Sequence, residues 1–179
     1  MDTDVILITE KNEPIGSMNK WEAHSANTPL HRGFSLFLFN EKGELLLQQR
    51  SEKKKTWPNV WSNSVCGHPQ LQETPIDAAQ RRLAFEIGIT HAKITMILPT
   101  YRYRFEKDGI VENEICPVMV GISTDMPILN PDEVKAVRWI KWDNWLKEIQ
   151  QNGKKYSQWC VEETILLQAN EGFRLPIFQ

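Results

Sequence analysis

Apolar positions along the chain change their period several times, and each change predicts an element. The run "VILIT" at 5–9 has the length and composition of a short strand. "GFSLFLFNEKGELLLQQR" at 33–50 gives two β-rich runs around Asn40-Glu41-Lys42-Gly43, a turn composition, and predicts a hairpin. "WPNVWSNSVCG" at 57–67 then carries extended chain to a glycine. From Thr74 the period becomes helical: Thr74 caps, Pro75 takes the first position, Gly88 closes, and Ile76, Ala79, Leu83 and Ile87 are spaced as a buried stripe. Two long strands are predicted at 92–106 and 109–122, joined at Lys107-Asp108-Gly109, followed by a strand near 135–142 and helices near 142–151 and 157–170. Strands outnumber helices and their order is mixed, which predicts an α/β (α+β) sandwich with a mixed sheet between helices.

No repeat, low-complexity tract or Gly/Ser linker divides the chain, so 1–179 reads as a single domain. A formal net charge of -2 speaks against a general nucleic-acid binder or a polybasic membrane-surface protein, so an anionic ligand has to meet a local cluster of cations. The segment "MDTDVILITEKNEP" is neither a signal peptide nor a membrane span, and a cytoplasmic protein is expected. Cys66, Cys116 and Cys160 lack CxxC spacing and are expected to be free thiols.

Candidate chemistry gathers in three places. In "VENEICP" at 111–117 strand alternation puts Glu112 and Glu114 on one face and Asn113 on the other, and two carboxylates in a partly buried strand call for a cation between them. "NSVCGHPQ" at 63–70 sets Cys66 two residues before His68, with Gly67 allowing close backbone approach. His24, His31 and His68 lie in the N-terminal half around apolar segments, whereas His91 falls in a loop. Three imidazoles with two carboxylates form a mixed N/O set suited to Mn2+ or Mg2+, with Zn2+ also open.

The third place is "GHPQLQETPIDAAQRRLAFEIGI" at 67–89, where Gly67, Glu73, Arg81, Glu86, Gly88 and Ile89 match most of the spacing of the Nudix box. That loop–helix–loop holds diphosphates through divalent metal, and its helix normally offers several glutamates. Arg82 and Phe85 occupy two of those places and only Glu86 remains, which weakens the case for a metal that activates water. In an arbitrary helix Arg82 and Glu86 would be an ordinary surface pair; here they would offer a direct cation and a metal-held cation to one diphosphate.

Taken over nearly the whole chain, "NKWEAHSANTPLHRGFS", "KTWPNVWSNSVCGHPQ", "RYRF", "GIVENEICPV" and "YSQW" resemble type I isopentenyl-diphosphate isomerase, a Nudix-fold family. The resemblance implies a metal site of His24, His31, His68, Glu112 and Glu114. It implies proton-handling by Cys66 and Glu114 with Tyr103 assisting the glutamate. It assigns the diphosphate to Lys20, Arg50, Lys54 and Arg82, a second Mg2+ arriving with substrate to Glu86, and an aromatic wall over the alkenyl group to Trp159. The implied reaction is a 1,3-allylic shift between isopentenyl and dimethylallyl diphosphate, in a monomer or weak homodimer acting on a small molecule. Flavin is not expected, because the chain is short for the (β/α)₈ barrel of the unrelated flavin-dependent class. A Nudix hydrolase of a nucleoside diphosphate derivative and a non-catalytic diphosphate-binding protein remain as alternatives.

Overall fold

A computed structural model describes residues 4–175. In chain order its elements are β1 (Asp4–Ile8), β2 (Pro14–Asn19), α1 (Lys20–Ala23), β3 (His31–Arg32), β4 (Phe34–Phe39), β5 (Glu44–Arg50), β6 (Trp61–Ser62) and β7 (Val65–Gly67). There follow α2 (Pro75–Ile87), β8 (Lys93–Leu98), β9 (Arg102–Lys107), β10 (Ile110–Ile115), β11 (Val118–Ile122), β12 (Val134–Lys141), α3 (Trp142–Asn152), a 3-10 turn at Gly153–Lys155 and α4 (Gln158–Ala169).

Two mixed sheets replace the one expected. The first runs β2-β1-β3-β10-β9 and the second β12-β5-β4-β11-β8, with β6 on β5 and β7 on β4. Each sheet has one parallel pair, β3 with β10 and β4 with β11. These pairs are joined in sequence: β3 continues into β4 through Gly33, and β10 continues into β11 through Cys116-Pro117. Gly33 donates its amide to Ile115 and Ser35 to Pro117, both at 3.0 Å, so the two chains change sheet side by side. The functional side chains collect at that crossing.

The hairpin and central helix follow the sequence pattern. Every residue of β4 is buried, because helices cover both faces of its sheet. Phe34, Leu36 and Leu38 face Ala78, Ala79, Leu83 and Ile87 of α2, while Phe37 and Phe39 face Trp142, Trp145 and Trp159 from α3 and α4. Each fully buried leucine or phenylalanine contributes roughly 1.5–3 kcal/mol relative to exposure. Thr74 and Asp77 form a reciprocal capping box at the start of α2, with Pro75 in its first turn, and Gly88 ends the helix at φ +67°. A Cβ at Gly88 would also sit 2.8 Å from Ile128, so both backbone and packing require glycine there.

Some expectations fail for physical reasons. Ile76 is 38% exposed rather than part of the buried stripe, since it sits in the first turn of α2. The strand expected at 92–106 divides into β8 and β9 at Pro99-Thr100-Tyr101, and that at 109–122 into β10 and β11 at Cys116-Pro117. Proline cannot donate to a ladder, which suits both breaks. The edge strand β2 is largely exposed and carries too little apolar pattern to be read in advance.

Candidate active site

Four short stretches bring the five expected ligands together. His24 caps the end of α1, His31 lies in β3, His68 follows β7, and Glu112 and Glu114 project from the same face of β10. One donor atom from each lies within 4.8 Å of every other, and the three imidazole rings stand 5.1–5.3 Å apart. His31 and Glu114 are ladder partners in the parallel pair.

Two of the histidines are held in one tautomer. His24 Nδ1 lies 2.6 Å from the Lys20 carbonyl and His31 Nδ1 lies 2.9 Å from the Pro29 carbonyl. A carbonyl only accepts, so Nδ1 carries the hydrogen in both rings and each Nε2 presents a lone pair to the cluster. His24 Nε2 is 3.0 Å from Glu112 Oε2 and His31 Nε2 is 3.3 Å from Glu114 Oε1. Nevertheless both Nε2 atoms and Glu112 Oε2 are buried without a hydrogen-bond partner. Close approach without hydrogen-bond alignment, in a mixed N/O donor set, fits a divalent cation between these atoms.

Electrostatics within the cluster follow from burial and pairing. Burial opposes the charge of Glu114, yet His31 and His68 hold its carboxyl well below the usual value. Burial likewise opposes Glu112, but His24 keeps it low. His24 is raised because Glu112 outweighs the burial that would lower it, whereas burial wins at His68 and lowers it. Tyr103 lies opposite Glu114 in the antiparallel ladder and donates its hydroxyl to Glu114 Oε2 at 3.0 Å. Burial, and after it the Glu114 charge, pushes the phenol well above its ordinary range, so it stays a donor.

Gly33, which the sequence reading passed over, is a condition of this geometry. A Cβ at this position would lie 1.9 Å from Glu114 Oε2. No side chain can occupy that space with the carboxylate in place.

Cys66 and Glu114 line the same cavity, of about 280 Å³, together with Tyr103, Trp159, His24 and His68. Trp159 packs at 5.2 Å from Trp57 and stacks at 5.8 Å on Tyr103, forming an aromatic wall. The Cys66 thiol donates to Asn63 Oδ1 at 3.0 Å. Burial pushes it up to about 12, so the sulfur holds its proton at neutral pH.

Lys20, Arg50, Lys54 and Arg82 line this cavity as well, and so do Lys53 and Lys55, two members of a lysine run that the sequence reading left unassigned. Arg50 is pinned by the Thr56 carbonyl at 2.8 Å and the Trp57 carbonyl at 3.2 Å, with its guanidinium 5.8 Å from the Trp159 ring. Lys54 pairs with Glu133, and Arg82 reaches Glu133 at 2.9 Å and Glu86 at 2.5 Å. Glu86 is buried beneath Arg82 and does not line the cavity. His91 stands apart in an exposed loop beside Asp125. Among the described residues no helix is long and apolar enough to cross a membrane.

Known proteins resemble this chain in sequence and in fold. The NUDIX domain profile matches residues 29–160. A solved structure of a Deinococcus radiodurans protein superimposes with a TM-score of 0.71 at 21% identity, covering 91% of this chain and 98% of that one; at that identity the likeness concerns the fold. The mixed α+β architecture around a loop–helix–loop is therefore that of a NUDIX-domain protein. Curated isopentenyl-diphosphate Delta-isomerases are nearer in sequence. Those of Saccharopolyspora erythraea and Salmonella paratyphi B are each 42% identical, over 170 and 168 residues, covering 93% of this chain and 88% and 93% of their own lengths. The chain belongs to the isopentenyl-diphosphate Delta-isomerase family.

Proposed function

We infer that this chain interconverts isopentenyl and dimethylallyl diphosphate, with residues 1–179 acting as one Nudix-like domain in the cytoplasm. One observation carries the reading: a thiol and a carboxylate open onto a single small cavity that also has an aromatic wall and a cluster of cations. The volume lies at the low end for small-molecule sites, which suits a five-carbon diphosphate.

Lys20, Arg50, Lys54 and Arg82 bind the diphosphate and so orient the alkene, which makes proton transfer effectively intramolecular. Arg50 arrives preorganised by its backbone contacts. Cys66 and Glu114 handle the two protons: one reaches the terminal carbon of the double bond, a tertiary carbocation-like species follows, and a proton leaves the neighbouring methylene. Tyr103 holds the Glu114 carboxylate in place through its hydroxyl. Trp159 faces the developing cation with its ring, a contribution of about 2 kcal/mol or roughly thirtyfold in rate. Its packing with Trp57 and Tyr103 also keeps water from the cation.

His24, His31, His68, Glu112 and Glu114 would hold Mn2+, Mg2+ or Zn2+, which when bound supplies fixed positive charge that orients Glu114 and sets its acidity. Glu86, now covered by Arg82 and set back from the cavity, would ligate a Mg2+ that accompanies the diphosphate once Arg82 turns to the phosphate groups.

Purified protein supplied with Mg2+ and isopentenyl diphosphate in deuterated water provides the test. The expected result is dimethylallyl diphosphate carrying solvent deuterium, with conversion lost in Cys66→Ala and in Glu114→Gln. Conversion that survives in both variants refutes the assigned roles, and release of phosphate instead of isomer points to hydrolysis.

A further inference from the structure

Behind the thiol lies a titratable group that the proposed reaction does not use. Glu163, on α4 one turn after Trp159, is 0% exposed. Its Oε2 is 2.6 Å from Ser35 Oγ, while its Oε1 has no hydrogen-bond partner. Among the described residues no lysine or arginine pairs with it. Ser35 lies in β4 opposite Cys66 in β7, with Oγ 3.5 Å from the sulfur. The Asn63 amide donates to the same Ser35 oxygen at 2.8 Å and accepts from the Cys66 thiol at 3.0 Å.

Counting hydrogens decides how this network is wired. A serine hydroxyl has one hydrogen to give and two lone pairs, and Asn63 occupies one of the lone pairs. If Glu163 were ionised it would draw the single Ser35 hydrogen, leaving no donor aimed at the sulfur. An unpaired carboxylate in a dry core is, however, among the most costly groups to bury. A neutral Glu163 gives its own hydrogen to the second lone pair, and the Ser35 hydrogen is then left for sulfur.

We propose that Glu163 is a positioning residue for Cys66: held as a neutral acid, it donates to Ser35 and turns the Ser35 hydroxyl hydrogen toward the Cys66 sulfur. Burial, with the Glu114 charge adding to it against the Ser35 contact, holds the Glu163 carboxyl well above the usual carboxylate range. The arrangement supplies a preformed donor where negative charge develops whenever the thiol has given up its proton. The inference rests on the isomerase reading for its kinetic consequence, though not for the charge state of Glu163.

Infrared difference spectra of wild type minus Glu163→Gln at neutral pH test the charge state directly. The expected signal is the carbonyl stretch of a protonated carboxyl, and an ionised carboxylate signal overturns the proposal. In the isomerase assay Glu163→Gln, which keeps a neutral donor, should retain kcat within about threefold, whereas Glu163→Leu and Ser35→Ala should each lose about tenfold in kcat with KM nearly unchanged. The double variant Ser35→Ala, Glu163→Leu should lose no more than either alone. Full kcat in Glu163→Leu, or equal damage in Gln and Leu variants, overturns the proposal. Should the leucine variant not fold, Ser35→Ala carries the kinetic arm, with full kcat again the overturning result. Wild-type protein that does not isomerise counts against the isomerase reading, while the carboxyl band still decides the state of Glu163.

Discussion

Arg82 and Glu86, one turn apart on α2, form a buried ion pair at 2.5 Å, and the same guanidinium reaches Glu133 at 2.9 Å. Their side chains are 6% and 1% exposed, so this is not the weak surface pair that an i, i+4 spacing usually gives. The pair thus couples the proposed diphosphate site to the packing of α2.

Removing the cation alone should therefore be costly. Arg82→Met leaves Glu86 buried and uncompensated, and a loss of about 3 kcal/mol in unfolding free energy is expected. KM for the diphosphate should rise as well. The double variant Arg82→Met, Glu86→Met should recover most of the stability without recovering KM, as read by urea denaturation and steady-state kinetics. Recovery of KM in the double variant would argue against direct contact between Arg82 and the diphosphate.

Gly33→Ala places a methyl group where Glu114 Oε2 now lies. The carboxylate has to move away from both Tyr103 and the histidines. Activity and tight metal binding should both fall by at least about tenfold, the scale on which misplaced ligands and supporting contacts are felt, while circular dichroism stays native. Unchanged metal content would show that Glu114 is not held against Gly33.

Metal retention tests the ligand set independently of turnover. After exposure to a chelator and gel filtration, elemental analysis of wild-type protein should find one tightly held divalent ion. His24→Ala removes a lone pair that has no hydrogen-bond partner among the described residues, and retained metal should drop sharply. A His24→Ala, His68→Ala double variant that keeps the ion would overturn the assignment.

Acid stability should depend on Glu133. Burial works against its charge, but Lys54 and Arg82 outweigh burial and hold the carboxyl below its usual value. The folded value is thus lower than the unfolded one, so the ion pairs stabilise fully above about pH 4.3 and fade as the pH falls beneath it. Below that point the melting temperature of wild type should drop more steeply than that of Glu133→Gln. Parallel curves would remove Glu133 from the acid response.

Part of the candidate site was legible in local pattern: two glutamates alternating in an apolar strand already demanded a cation. A cysteine two positions from a histidine reads by itself as a core residue, and β10 and β7 bring Glu112, Glu114, Cys66 and His68 to one cavity. Thr74, Pro75 and Gly88 marked the ends of α2 by local chemistry alone. What escaped depends on three-dimensional neighbours. Gly33 looks like any loop glycine until Glu114 is seen against it. Glu163 sits beside Glu162 in a polar-looking stretch, and only the packing of α4 on β4 separates the buried acid from its exposed neighbour. The breaks at Pro99 and Pro117 were present as letters, but strong apolar runs on either side hid them.

The two-residue strand β3 sets His31 opposite Glu114. One codon lost just ahead of it would bring Arg32 into that place, and the pair would become a cation facing the carboxylate. The exposed turn at Asp108 and Gly109 has open space around it and could lengthen freely. Descendants of this gene should therefore drift in length at the far end of the β9–β10 hairpin while keeping the spacing from His24 to His31 unaltered.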